Sequence, residues 1–204
     1  MIYYLYMKGV LLFLIKPENT AIRNGHARSA SWIYENVLDT TSIVFDVGFG
    51  WGRNTEYLRS KGFEHLFGIE TPAQISRKTD ILHLFEGVSS EFPSFSAQVI
   101  LNSFVLNVIP EQAERLTLLH NMYESLAPQG LLVIEVRGTQ GISKAKTKSP
   151  YLDGFLMGVQ SVKTFQKGYT MNELISFVQG YGTLLETFKT SDSVGVVIRK
   201  DDPA

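Results

Sequence analysis

Apolar residues in this chain fall into short blocks, and the spacing within a block separates strands from helices. Residues 42–47, 65–70, 97–104 and 131–136 have the length and β-branched character of buried strands, and 80–85 is a further candidate that would be third in order. The run 97–104 is nearly continuous in apolar residues, as in parallel strands covered on both faces. Helical spacing appears in 28–38, through Ala30, Ile33, Val37 and Leu38, and in 53–61, where Tyr57 and Leu58 face inward and Gly62 suits the C-cap. It recurs in 110–126, with Pro110 in the first turn and an inner stripe of Ala113, Leu116, Leu119, His120 and Tyr123. A last helix, 171–181, starts from Thr170 with Glu173 three residues on, the pattern of a capping box. Only 71–79 separates the second strand from the third, too little for a full helix. Two strands, 183–190 and 194–200, flank a short turn at 191–193 and close the chain as a hairpin. Alternating strands and helices predict an α/β fold with a doubly wound sheet, and no repeat or second domain interrupts residues 1–204.

Composition adds little to that fold and narrows the chemistry. The 204 residues are 44% hydrophobic and 19% charged, with a net charge of -1, so no global attraction to nucleic acid or to an anionic membrane is expected. There is no cysteine, which removes disulfides, thiolate metal sites and cysteine nucleophiles. His65, His83 and His120 do not have metal-ligand spacing and read as structural; no metal site is expected. Residues 1–19 form an apolar N-terminal extension with Lys8 in its middle. Its longest uncharged run, 9–15, falls short of the roughly 20 residues of a membrane span, so no membrane partner is expected. The 10–15 stretch reads as a strand or a sticky segment that packs on the domain or makes a homodimer, and Met7 is an alternative start.

The most specific chemistry lies in Val44-Phe45-Asp46-Val47-Gly48-Phe49-Gly50-Trp51-Gly52. A strand ends in an acid, and three glycines follow at alternate positions. Glycine permits φ > 0 and lets a ligand approach the backbone, and the next helix presents unpaired N–H groups. Glu70, at the end of the second strand, is placed to accept hydrogen bonds from ribose hydroxyls. Together these predict a nucleoside pocket. Dinucleotide sites use G-x-G-x-x-G, whereas the spacing here is G-x-G-x-G.

This segment resembles motif I of the class I S-adenosylmethionine (SAM)-dependent methyltransferases. The later stretch Val99-Ile100-Leu101-Asn102-Ser103-Phe104-Val105-Leu106-Asn107-Val108-Ile109, a helix, and Leu126-Ala127-Pro128-Gln129-Gly130-Leu131 resemble the rest of that pattern. Gly52-Arg53-Asn54-Thr55 is similar to the tellurite-resistance type. A weaker resemblance, through Thr20-Ala21-Ile22-Arg23, residues 104–109 and 164–170, is to unassigned methyltransferases found beside DNA-phosphorothioation systems. The resemblance implies a Rossmann-like fold with a mostly parallel seven-stranded sheet and an antiparallel C-terminal hairpin, SAM as cofactor, a cytoplasmic location and methyl transfer to an unidentified small molecule or nucleic acid. The implied cofactor site comprises Asp46, Gly48, Phe49, Gly50, Gly52 and Asn54, then Glu70 and Thr71, Ser89, and Asn102 and Phe104. Asp46 would orient the glycine loop, meet the methionine amine, or cap the next helix. There are departures: Gln98 stands where an acid usually opens the fourth strand, and the adenine contact falls to Glu86, Ser89 or Ser90. No Asn/Asp-Pro-Pro-aromatic sequence follows the fourth strand, unlike the amino-methylating DNA enzymes.

On the acceptor side the candidates are His26, Asn107, Tyr151, Lys167 and Tyr169, with Gln166 beside them. Arg23, His26 and Arg28 precede the first helix, where a lid would sit. Residues 138–164 read as an acceptor-side loop. Its Lys144, Lys146 and Lys148 could hold an anionic acceptor such as a nucleic-acid backbone. No residue is singled out as the catalytic base, since the sulfonium supplies its own leaving group. Two other classes stay open: a SAM-binding regulatory protein without transfer activity, and a nicotinamide-dependent oxidoreductase, which the glycine spacing disfavours.

Overall fold

The apolar runs pair into one sheet, as their length and composition require. The computed structural model describes residues 4–8, 11–16, 25–158 and 162–202; Thr20 to Arg23, which carry part of the weaker resemblance and one lid candidate, lie outside them. Five strands run parallel: β3 (Val44–Val47), β4 (Leu66–Ile69), β5 (Gly87–Ser89), β6 (Ala97–Ser103) and β7 (Leu126–Arg137). The closing hairpin, β11 (Thr183–Lys189) and β12 (Ser193–Arg199), adds β12 antiparallel to β7 and gives the order β11-β12-β7-β6-β3-β4-β5. The chain passes from β3 outward through β4 and β5, then returns to lay β6 on the other side of β3. That reversal opens a crevice beyond the carboxyl ends of β3 and β6, where open α/β sheets bind their ligands.

Alternation along the strands divides the core between two faces. Val44, Val99, Leu101 and Val133 pack with Ala30 and Ile33 of α1 (Arg28–Asn36) and Leu58 of α2 (Arg53–Ser60). Phe45, Ile100, Leu132 and Ile134 pack with Leu119 and Met122 of α4 (Gln112–Glu124) and Leu174 of α6 (Met171–Val178). Thr170 and Glu173 form the expected capping box of α6.

Three expectations need correction. Residues 80–85 are not a strand. Thr79–Leu84 is a 3-10 turn, following the one-turn helix α3 (Pro72–Ile75), and the third strand is β5. The apolar residues Ile81 and Leu84 are three apart, so this tight helix aligns them on one face. That face packs on Gly52, where an added Cβ would meet Leu84 at 3.0 Å and Ile81 at 3.2 Å. Along α4, Ala113, Leu116 and His120 are exposed and the buried stripe is Arg115, Leu119 and Met122. The stripe is shifted because Arg115, a charged residue, occupies a fully buried position. Finally, 138–164 is not a plain loop. It carries α5 (Thr139–Ser143), β8 (Lys148–Tyr151), β9 (Gly154–Met157) and most of β10 (Val162–Gln166).

These strands join β1 (Tyr4–Lys8) and β2 (Leu11–Ile15) of the N-terminal extension in a second sheet, ordered β1-β2-β10-β9-β8. The extension thus pairs within its own chain, β2 running parallel to β10. Ile15, Leu156 and Phe165 make a small core there. Arg115 connects this sheet to the main one: its guanidinium donates to the carbonyls of Ile109 and Pro110 and to the carboxylate of Asp153, between β8 and β9. Lys167 adds a second cation 3.3 Å from the same carboxylate. Arg115 is buried and Asp153 is partly exposed, so removing the carboxylate leaves the enclosed guanidinium without its counter-charge. Asp153→Ala is therefore expected to lower stability by about 1–3 kcal/mol, measured by urea unfolding, with Asp153→Asn losing less.

Candidate functional site

The turn after β3 is set by its glycines. Gly48, Gly50 and Gly52 all have positive φ, at 74°, 56° and 69°. Alternation of left-handed residues is what the alternate glycines permit, since other residues rarely adopt that conformation. Gly48 has a second constraint: a Cβ there would lie 2.2 Å from Cγ2 of Val105, in the turn after β6. The two turns thus meet backbone to side chain across the switch point. Beside them Asn102 donates from Nδ2 to the carbonyl of Val47 at 3.2 Å, and its buried Oδ1 has no hydrogen-bond partner among the described residues. Phe104 follows with φ 62°, a strained conformation for an aromatic residue. The Arg53 guanidinium lies 5.6 Å from its ring centroid.

A cavity of about 960 Å³ opens here, at the upper end of the 300–1,000 Å³ or so usual for small-molecule sites. One end is walled by Gly48, Phe49, Gly50, Trp51, Arg53 and Asn54, with Glu70 and Thr71 at the tip of β4. Glu70 accepts from the Gly50 N–H at 3.3 Å and the Thr71 N–H at 2.9 Å, which aims its carboxylate over the loop. Another wall is Ser90, Glu91 and Phe92. These belong to the connection 90–96, which crosses from β5 to β6 without a helix and packs Phe95 on Phe45 and Phe67. Beyond the glycine loop, the cavity is lined by Phe104 and Asn107, by Arg137 at the end of β7, and by Ile15 and Gln166 of the second sheet. Asn107 is buried, donates to Gln166 at 3.1 Å and accepts from the Arg137 N–H at 3.4 Å.

Several predicted residues lie elsewhere. Asp46 is 3% exposed and accepts from the Thr55 hydroxyl at 2.7 Å, which ties β3 to α2, and it does not line the cavity. Burial pushes its carboxyl up to about 7; the Glu70 charge adds to this, while the Thr55 hydrogen bond opposes it. Gly52 and Asn102 border the turn without lining the cavity, and Ser89 gives way to its neighbours Ser90 and Glu91. Glu86 pairs with His65 at 2.9 Å. On the acceptor side only Asn107 and Gln166 reach the cavity. His26 stacks on Tyr57 at 3.6 Å, and that packing, with Arg53 and Lys61 near, lowers its pKa. Lys167 is held by Asp153 and Glu173, Tyr151 packs toward Phe165, and Tyr169 is buried in the core, its phenol pushed up to about 12 by that burial. Lys148 donates to the carbonyls of Ile142 and Ser143 at the end of α5, whereas Lys144 and Lys146 are exposed.

Other residues at the site were not foreseen. Glu135, 2% exposed on β7, accepts from the Ser29 N–H at 2.8 Å and the Ser193 hydroxyl at 2.6 Å. Ser29 in turn shares a 2.7 Å hydrogen bond with Ser103, on the cavity wall. Asn54 accepts from the Ala27 N–H at 2.8 Å, and Arg53 donates to the Gly25 carbonyl at 2.8 Å. The start of α1 is therefore fastened to the glycine loop and to β7. An acid inside an apolar strand was the available signal for Glu135. Among the described residues no group of three or more His, Asp or Glu side chains converges on a metal-sized site, and no helix is long and apolar enough to cross a membrane.

Two outcomes follow from this geometry. Gly48→Ala should abolish ligand binding at the cavity while the protein still folds, because the new Cβ forces the two turns apart; calorimetry and circular dichroism check it. Asp46 binds its proton more tightly in the folded than in the unfolded chain, so it costs stability as pH rises from about 4 to 7. Asp46→Asn is expected to match the wild type near pH 4 and exceed it at pH 8, in urea unfolding at both pH values.

A family model described as "Methyltransferase domain" matches residues 20–177. No curated protein matches the chain significantly. Among solved structures, a SAM-dependent methyltransferase from Clostridium acetobutylicum superposes with a TM-score of 0.66 at 10% identity, covering 88% of this chain and 94% of that one. The CcbJ methyltransferase from Streptomyces caelestis gives 0.66 at 16% identity, over 91% and 95%. The N-methyltransferase NodS from Bradyrhizobium japonicum, solved with S-adenosylhomocysteine (SAH), gives 0.60 at 17%, over 86% of each chain. The strand order, the turn at the switch point and the family match over most of the chain agree: this chain belongs to the methyltransferase-domain family, in the Rossmann-like fold of the class I enzymes.

Proposed function

We propose that the protein transfers a methyl group from SAM to a small-molecule acceptor. The observation that carries this reading is one continuous cavity with two chemically distinct ends. At the first end, left-handed glycines bare the backbone and Glu70 stands over them, which suits an adenosyl group and its ribose hydroxyls. At the second, Asn107, Arg137 and Gln166 offer polar groups among Ile15, Val108 and Ile109. The volume of about 960 Å³ also takes in a groove along α4, at Glu114, Leu118 and Asn121, and leaves room at its two ends for a donor beside a modest acceptor. NodS, of the same fold, was solved with SAH bound, which supports the donor assignment by analogy.

Bound SAM, held by the glycine loop and Glu70, would supply an activated methyl group, its sulfur leaving as a neutral thioether when an acceptor lone pair takes the carbon. The residues here contribute alignment and exclusion of water. Phe104 and the turn carrying Asn107 face the crevice, and Glu70 anchors the ribose. A small acceptor is favoured over nucleic acid, because Lys148 is occupied at the end of α5 and neither Lys144 nor Lys146 borders the cavity.

Transfer of radiolabelled methyl from SAM to a panel of metabolite, protein, RNA and DNA fractions tests the reading. Label is expected in the metabolite fraction; label confined to nucleic acid would overturn the acceptor class. Glu70→Ala should weaken SAM binding by about 1–3 kcal/mol, through loss of a charged acceptor, and unchanged affinity would remove Glu70 from the site.

A further inference from the structure

The donor end of the cavity contains a cation that the mechanism above does not use. Lys78 sits between α3 and the 3-10 turn, and it is only 3% exposed. It lines the cavity with Glu70, Gln74 and Trp51. Its Nζ lies 5.4 Å from the Trp51 ring centroid, and among the described residues the ammonium has no hydrogen-bond or ion-pair partner. Its stem is enclosed, whereas its Nζ keeps access to the cavity. A methionine would fill the space of the stem, so packing alone is a poor account of a lysine whose charged end faces the cavity. Burial lowers its pKa, and the nearby Glu70 carboxylate opposes that shift.

The chemistry of a ribose diol matches what this pair offers. Each hydroxyl both donates and accepts. An ionised carboxylate only accepts, so Glu70 can take the hydroxyl hydrogens and leaves the oxygen lone pairs unmet. An ammonium only donates, and three hydrogens are available on Lys78. We propose that Lys78 is a second ribose-recognising residue, donating to the hydroxyl oxygens whose hydrogens Glu70 accepts, so that the two together select a donor with an intact 2′,3′-diol. This rests on the donor reading of the cavity.

The test is a cycle of calorimetric titrations: wild type and Lys78→Met, each with SAH and with its 2′-deoxy and 3′-deoxy analogues. Lys78→Met should bind SAH about tenfold or more weakly, while its melting temperature is unchanged or raised, since methionine fills the enclosed space of the stem without a charge. At least one deoxy analogue should bind the wild type about tenfold more weakly than SAH and show a clearly smaller loss in Lys78→Met, the signature of a direct contact. Wild-type affinity for SAH in Lys78→Met, or equal deoxy penalties in both proteins, would overturn the proposal. A fall in melting temperature would assign Lys78 to packing instead, and Lys78→Gln repeats the cycle if Lys78→Met does not fold. Failure of the wild type itself to bind SAH would sink the donor reading, and it is seen before any variant is compared.

Discussion

The site depends on how closely two turns approach each other. The turn after β3 and the turn after β6 meet where strand order reverses, and Val105 occupies the space a side chain at Gly48 would need. From that contact several features follow. Residue 48 must be glycine, and the next left-handed positions, 50 and 52, coil the backbone back to start α2. The turn after β6 is held in place from the far side, because Phe104 donates its N–H to the Glu135 carbonyl at 2.7 Å while adopting a left-handed conformation itself. Strain of this kind persists only where the surroundings over-determine it, and here two strands and a packed turn do so.

Buried charges around the cavity serve two different ends. Asp46, Glu135 and Arg115 each have partners in the protein: a hydroxyl, a serine N–H with a second hydroxyl, and carbonyls with a carboxylate, though the Arg115 Nε has none among the described residues. They add polar ties between elements, α2 to β3, the start of α1 to β7 and β12, and the second sheet to α4. A charge with its partners built in is structural by this criterion. Lys78 differs, since it is as deeply buried as they are and faces open space beside Glu70.

The fold and the glycine turn could be read along the chain because each rested on local rules. Apolar runs of strand length, alternate glycines and an acid at a strand end need only their neighbours to be interpretable. The third strand was misplaced because Ile81, Leu82, Leu84 and Phe85 fit a strand and a tight helix equally well; contact with Gly52, far away in sequence, decides between them. Most acceptor candidates fared poorly for the same reason. Lys167 and Tyr169 lie between β10 and α6, but Asp153, Glu173 and the core claim their side chains. The second sheet unites β1 and β2 with β8, β9 and β10, a pairing no local pattern announces. Glu135 and Lys78 were passed over because a charge within an apolar or helical stretch gains meaning only when its partners, or the lack of them, can be seen.

The central claim is that the cavity over the glycine loop is a SAM site. Calorimetric titration of the purified protein with SAH and, separately, with NAD addresses it most directly. The account predicts one SAH bound per chain and no binding of NAD. Binding of NAD without binding of SAH would contradict it.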